Sequence, residues 1–102
     1  MPLTIHVTRQ ELCDLFDALG IWDKIQRQEC TIEYIIRTQV PARNYPHATS
    51  TMARVRNSLG FQIATVHLIF GNDTGDIMHR DASDLVVEQV KLERQMMSKQ
   101  SR

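Results

Sequence analysis

Two histidines and an aspartate close to a turn are the side chains of this sequence best suited to acid–base chemistry. Residues 66–85 read VHLIFGNDTGDIMHRDASDL and contain His67, His79 and Asp81. A carboxylate beside an imidazole fixes its tautomer and raises its basicity. Two imidazoles and a carboxylate can also hold a divalent metal ion. Such a set suits hydrolysis or phosphoryl transfer, provided that the fold brings the three side chains together.

The register of the hairpin decides whether these side chains meet. The segment GNDTG is typical of a turn between two antiparallel strands. A three-residue loop ending on Gly75 sets His67 opposite Asp81, and a five-residue loop sets His67 opposite His79. Both loops place the three side chains on one face of the sheet, whereas a loop of two or four residues turns the second strand over. The position of the glycine favours a loop of odd length.

A structural role is the stronger interpretation of the same residues. The strand around His67 has apolar residues on both faces, which is typical of a core histidine bonded to a neighbour. Asp81 and Asp84 suit a turn and a helix cap. The sequence has no phosphate-binding glycine loop, no His-Glu-x-x-His and no nucleophile elbow. We therefore keep catalysis by His67, His79 and Asp81 as an alternative, and we assign no metal and no cofactor.

The basic residues are concentrated in the middle of a chain whose net charge is zero. Residues 34–72 carry four arginines and no acid, while the segments on either side are acidic. Arginine binds phosphate bidentately and aromatic rings stack on unpaired bases. The residues that we assign to nucleic-acid binding are Arg37, Arg43, Arg54, Arg56 and Tyr45. The alternative, which the zero net charge favours, is that these arginines pair with acids of the first helix, Asp14, Asp17 and Asp23.

Length and composition predict one globular domain. The chain has 102 residues, of which 42% are hydrophobic and 24% charged. No run approaches the roughly 18 apolar residues of a membrane span, and the start lacks the pattern of a signal peptide. We therefore expect a cytoplasmic protein with no membrane partner. Its two cysteines, Cys13 and Cys30, are too few for a disulfide scaffold and are expected to be free thiols.

The first half of the chain gives clear periodic signals. LTIHV at 3–7 alternates, which predicts a half-buried strand. TRQE at 8–11 is a capping box, and the apolar residues that follow at helical spacing predict a helix ended by Gly20. A short second helix is expected around 21–25. Residues 30–40 are predicted to form a strand with one solvent-exposed face. The proline-containing segment 41–50 is predicted to be a loop.

The second half is more ambiguous. Met52, Val55 and Leu59 fit one helical face, so a short helix capped by Ser50 or Thr51 is predicted there. Residues 61–70 have apolar side chains on both faces, which indicates a central strand, and DIMHRD can pair back against it. A last helix is predicted from Ser83 or Asp84 to Met97. The alternative makes DLVVEQVKL, residues 84–92, a strand.

These elements predict a single small α+β domain over residues 1–98, followed by a frayed tail at 99–102. The domain has a mixed or antiparallel sheet with two or three helices, in the order β-α-β-α-β-β-α. A homodimer formed through the last helix or through an open sheet edge is expected as well.

The function predicted first is that of a small, non-enzymatic binding or regulatory protein. Its arginine-bearing middle segment would contact nucleic acid or an acidic partner. One alternative is a metal-independent, ribonuclease-like hydrolase with His67 and His79 as base and acid, Asp81 as orienter, and Arg54 or Arg80 on the phosphate. A second alternative is an inhibitor or immunity-type protein that binds another protein through its acidic first helix.

Overall fold

The protein folds as two helices on one six-stranded sheet, in a computed structural model that describes residues 3–87 and 90–94. The elements are, in chain order, β1 (Leu3–Val7), α1 (Arg9–Leu19), α2 (Ile21–Gln26), β2 (Thr31–Pro41), β3 (Ala48–Arg56), β4 (Gln62–Gly71), β5 (Ile77–Val87) and β6 (Val90–Arg94). The strands lie in the order β1-β6-β5-β4-β3-β2. β1 is parallel to β6 and the other neighbours are antiparallel. The prediction was an α+β domain with a mixed or antiparallel sheet and two or three helices, and the structure confirms the class, with a mixed sheet and two helices.

Helix α1 begins and ends where the sequence predicts. The backbone N–H of Glu11 donates to the Thr8 hydroxyl at 3.0 Å, and the Glu11 carboxylate accepts from the backbone N–H of Thr8 at 2.8 Å. This reciprocal pair is the capping box. Gly20 ends the helix in the left-handed conformation, with φ of 65°. Between these caps Leu12 and Phe16 are fully buried against the sheet.

Both helices pack on the same face of the sheet, and we call it the covered face. Its central side chains are small or branched and lie on β3, β4 and β5: Ala53, Val55, Ala64, Val66, Leu68, Ala82 and Leu85. Because successive residues of a strand point to opposite faces, the residues between them point away from the helices. The molecule is accordingly flat, with extents of 41 × 39 × 24 Å.

We call the other side of the sheet the open face. It is defined by Thr4, His6, Thr31, Glu33, Ile35, Ser50, Met52, Arg54, Arg56, Thr65, His67, Ile69, His79, Asp84, Val86, Lys91 and Glu93. Charged and hydroxyl side chains surround a few half-buried apolar ones on this face.

The helix predicted around Met52 is instead strand β3. Residues 51–56 alternate, with Thr51, Ala53 and Val55 buried on the covered face. The helical spacing of Met52, Val55 and Leu59 was a coincidence, because Leu59 lies in the following turn and is 78% exposed. The period of two and the β-branched residues therefore outweigh the helical pattern.

The helix predicted from Ser83 onward is also strand within the part of the chain that the structure describes. β5 continues to Val87 and β6 runs antiparallel to it, with Leu85 opposite Leu92. The alternative interpretation of DLVVEQVKL is therefore confirmed in its strand character, but the segment contributes to two antiparallel strands and not to one. Residues 88, 89 and 95–102, which include the end of the predicted helix and the predicted tail, lie outside the described residues. The element order therefore differs in detail from the predicted one.

The capping box gives a direct stability test. Thr8→Ala removes the hydroxyl that accepts from Glu11 and should lower the free energy of unfolding by about 1 kcal/mol. Thr8→Ser keeps an acceptor at the same place and should stay close to wild type. Urea unfolding of the three proteins measures both effects, and equal stability of Thr8→Ala and wild type would contradict the assigned cap.

Candidate functional site

The β4–β5 hairpin brings two of the predicted catalytic residues, His67 and His79, together on the open face, whereas the carboxylate of the third, Asp81, binds Arg9, Cys13 and Arg94. His67 lies opposite Asp81, and His79 lies opposite Ile69. This is the register predicted for a three-residue loop. The rings of His67 and His79 have centroids 5.8 Å apart and meet edge to face.

The turn between β4 and β5 is longer than the predicted three-residue loop, although the register of the two strands is the predicted one. The N–H of Gly71 donates to the carbonyl of Asp76 at 2.9 Å, which closes a loop of four residues rather than three. A loop of that length alone would turn the second strand over. The register then shifts at Met78, the extra residue on β5, and this bulge restores the predicted pairing.

Ser50, which is not among the predicted site residues, joins the two histidines on the open face. Its hydroxyl lies 2.6 Å from Nε2 of His67. The sequence predicts Ser50 as a helix cap, whereas the structure places it on β3 beside β4. The signal that could have found it is the alternation of Ser50, Met52 and Arg54 with buried residues.

His67 is suited to accept a proton. Burial lowers the pKa of His67, and the neighbouring His79 lowers it further, against an opposing effect of Asp81. The ring is therefore neutral at neutral pH. A neutral imidazole with an unprotonated Nε2 accepts the hydrogen bond of the Ser50 hydroxyl and can act as a general base.

Asp81 binds groups of the helix layer and of β6. Its carboxylate lies 3.0 Å from Nε of Arg9 and 2.8 Å from Nη1 of Arg94, and the Cys13 thiol donates to it at 3.6 Å. Only 7% of the Asp81 side chain is exposed. Burial raises the pKa of Asp81, but the hydrogen bond and charge of Arg9 and the charge of Arg94 outweigh it, so the pKa is below the ordinary value. We call this group the Asp81 clamp.

Two of the predicted nucleic-acid-binding arginines lie together on the open face. Arg56 pairs with Glu33 at 3.0 Å, and Arg54 approaches the same carboxylate oxygen at 4.0 Å. Within the chain they therefore pair with a glutamate of the neighbouring strand, and not with an acid of α1. Two guanidinium groups share one carboxylate, so this corner of the open face keeps a surplus positive charge.

The other predicted residues lie elsewhere. Arg37 sits where edge strand β2 is irregular, and Arg43 and Tyr45 are in the loop after Pro41. Arg56 lies opposite Thr31 at the start of β2, and Arg43 lies beyond the other end of that strand, where Pro41 lies opposite Thr49. At about 3.3 Å per residue, the seven steps from Arg56 to Thr49 separate the two groups by roughly 23 Å. The structure thus divides the predicted basic segment into two regions.

Arg80 belongs to the covered face, unlike Arg54. Its guanidinium stacks over the ring of Trp22 at 4.8 Å from the centroid. Of the two arginines predicted to hold a phosphate, Arg54 shares a face with His67. A pocket of about 190 Å³ beside Arg80 is lined by Cys13, Phe16, Asp17, Trp22, Arg80, Asp81 and Ala82. It lies between the helices and β5 and does not include either histidine of the cluster.

The acidic residues of the helices remain on the surface. Asp14, Asp17 and Asp23 are exposed, and none of them pairs with an arginine among the residues that the structure describes. The inhibitor hypothesis, which needs this acidic surface to be free, stays a prediction. Cys13 and Cys30 are free thiols.

The chain matches no protein-family model, no curated protein and no solved structure. Within residues 3–87 and 90–94, no helix is long and apolar enough to cross a membrane. Over the same ranges, there is no group of three or more His, Cys, Asp or Glu side chains that could hold a metal ion. The function must therefore be inferred from the geometry of the sheet.

The Asp81 clamp predicts a pH-dependent contribution to stability. Asp81→Asn removes the charge that holds Arg9 and Arg94, and it should lower the free energy of unfolding at pH 7 by about 3 kcal/mol. Because the folded pKa of Asp81 is depressed, its contribution is present above the unfolded pKa of about 3.9 and is lost as the pH falls through the folded pKa.

Urea unfolding at several pH values measures this dependence. The difference between wild type and Asp81→Asn should shrink below pH 4. Asp14→Asn, at an exposed site on α1, is the matched control and should change stability by less than about 0.5 kcal/mol. A constant difference between wild type and Asp81→Asn down to pH 2 would contradict the clamp.

Proposed function

We propose that the protein is a small, non-enzymatic binding protein whose open face contacts an acidic protein surface through Arg54 and Arg56. The observation that carries this proposal is the sharing of one carboxylate, Glu33, by two guanidinium groups on the uncovered side of the sheet. The planar guanidinium binds carboxylates bidentately, so the surplus charge suits Asp or Glu side chains of a partner.

The composition of the open face supports a protein partner. Ile35 and Met52 are half-buried neighbours on one side of the row that contains Arg54 and Asp84, and Val86 is half-buried on the other side. Protein interfaces combine apolar with polar area and are enriched in methionine and arginine. A flat sheet face of this kind can seat a partner without rearranging its backbone.

The charge balance of the open face favours protein over nucleic acid. Its two arginines and Lys91 are matched by three acids, Glu33, Asp84 and Glu93. Phosphate backbones bind surfaces with a clear surplus of cations. Arg43 and Tyr45 would have strengthened a nucleic-acid surface, but they lie beyond the far end of β2. Nucleic acid is therefore an outcome that the experiment must distinguish.

Removal of the two arginines tests the proposal. Wild type, Arg54→Ala/Arg56→Ala and the control Arg27→Ala/Arg43→Ala are immobilised and incubated with an extract of the source cells. Proteins that present acidic surfaces should be retained by wild type and by the control, and about tenfold less by Arg54→Ala/Arg56→Ala. Quantitative mass spectrometry measures the retention.

Two results would contradict this proposal. Equal retention by Arg54→Ala/Arg56→Ala and wild type would exclude the open face as the binding surface. Salt-sensitive binding of a labelled single-stranded RNA, lost in the same variant, would assign the open face to nucleic acid.

A second candidate function rests on the histidine cluster, namely metal-independent cleavage of RNA. His67 would take the proton of the 2′-hydroxyl, and the 2′-oxygen would attack phosphorus. The 5′-oxygen would leave with a proton donated by His79, while Arg54 holds the phosphate. The observation that favours this candidate is the pair of imidazoles 5.8 Å apart, with His67 held by Ser50.

Cleavage of a fluorescent RNA in the presence of EDTA tests this second candidate. His67→Ala and His79→Ala should each slow cleavage by about 10²-fold or more. His6→Ala, at an exposed position of the same face, is the control. Because the pKa of His67 is lowered, the rising limb of the pH–rate profile should lie below pH 6.5. Cleavage that survives both substitutions would exclude the cluster as its source.

A further inference from the structure

We propose that the acidic surface bound by the open face is the open face of a second copy of this chain, in a symmetric homodimer. This inference rests on the proposed function and names the partner. The chemistry that the partner must offer to Arg54 is present on the other half of the same face.

One row of side chains, which crosses the open face from strand to strand, shows that the face has a basic half and an acidic half. Residues in register run from β2 to β1 in the order Glu33, Arg54, Thr65, Asp84, Glu93 and His6. Thr65 on β4 lies between a basic half and an acidic half. With Arg56 and Lys91 included, the β2–β3 half carries two cations and one anion, and the β5–β6 half carries two anions and one cation. The open face is therefore dipolar.

We place the open faces of two copies against each other, with a two-fold axis that runs parallel to β4 between the two sheets. This axis brings the basic half of the row in one copy over the acidic half in the other. It places β3 of one copy over β5 of the other, so Arg54 comes opposite the partner subunit's Asp84. Symmetry repeats the contact on the other side of Thr65, which is what an isologous interface requires. The positive corner of each copy thus meets the negative corner of its partner.

Arg54 and Asp84 are both weakly paired within one copy. Arg54 approaches Glu33 only to 4.0 Å, and Lys91 approaches Asp84 only to 4.0 Å. The ion pairs of the Asp81 clamp are shorter, at 2.8 and 3.0 Å. The side chain of Asp84 is 18% exposed, so its charge is largely removed from water without a close cation. A guanidinium from a second copy would supply that cation.

The axis also brings one like-charged pair together, Glu33 and the partner subunit's Glu93. Each of these carboxylates has a basic side chain beside it in the same copy. Arg56 lies 3.0 Å from Glu33, and His6 lies 3.3 Å from Glu93. The Arg56 guanidinium reduces their repulsion.

The size of the open face is close to what a stable dimer needs. With the axis on β4, the five strands from β2 to β6 overlap with those of the second copy, and β1 lies outside the overlap. The three central strands are about 30 Å long and the five residues of β6 about 17 Å, at a spacing of about 4.8 Å. The resulting overlap of roughly 600 Å² per copy lies at the lower end of the range of standard interfaces. Ile35, Met52 and Val86 give this surface its apolar part.

A charge-exchange experiment tests the homodimer. The molar mass of the purified chain is measured by sedimentation over a hundredfold range of concentration. Wild type should form dimers, whereas Arg54→Asp alone and Asp84→Arg alone should each raise the dissociation constant by about tenfold or more. In both variants the symmetric contacts become like-charged.

An equimolar mixture of Arg54→Asp and Asp84→Arg tests whether opposite charges at these two positions restore the dimer. In the mixed dimer every contact between positions 54 and 84 joins opposite charges, so dimers should return to near the wild-type dissociation constant. The controls Arg27→Asp and Asp73→Arg change the same charges at exposed positions off the face and should dimerise like wild type. The rescue also shows that both variants fold.

The outcomes separate this inference from the proposed function. A chain that stays monomeric at every concentration, or dimers that Arg54→Asp leaves unchanged, would overturn the inference. A monomer that still retains acidic proteins from the extract through Arg54 and Arg56 would leave the proposed function intact. A monomer that retains none would contradict both.

Discussion

Two short helices have to cover a six-stranded sheet, and the rest of the structure depends on this constraint. Helices of 11 and 6 residues supply enough apolar surface for one face only. The strands carry Ala, Val and Leu on the covered face, and charged, hydroxyl and imidazole side chains on the open face. Burial therefore fixes the fold on one side and leaves the opposite side available for binding, which is why both candidate functions lie on the open face.

The Asp81 clamp and the open face are carried by the same strand. Asp81 holds Arg9 of α1 and Arg94 of β6, while Asp84, three residues later, belongs to the open face. The register shifts between them, where Ser83 is the extra residue on β5. A bulge disrupts the regular alternation and re-aims the side chains around it. On the two sides of this bulge, β5 carries one carboxylate that binds the helix layer and one that belongs to the open face.

Local signals predicted the elements that local interactions determine. The capping box and Gly20 located α1, and a glycine-containing turn predicted that His67 lies opposite Asp81. The sequence could not show that Glu33 lies beside Arg54, because that pairing depends on the order of strands distant along the chain. The sequence predicts a helix in place of β3, because three apolar residues happen to have helical spacing. A helix there does not place Ser50 beside His67, so Ser50 is not among the predicted site residues.

The most direct test of the open face as an interface is its accessibility to a soluble paramagnetic gadolinium chelate, measured on side-chain methyl groups. Our account predicts that the methyl signals of Ile35, Met52 and Val86 broaden in dilute protein and become protected as the concentration rises. Leu59, in the turn after β3, should broaden at every concentration. Methyl groups of the open face that stay equally accessible from dilute to concentrated protein would contradict the proposed interface between copies.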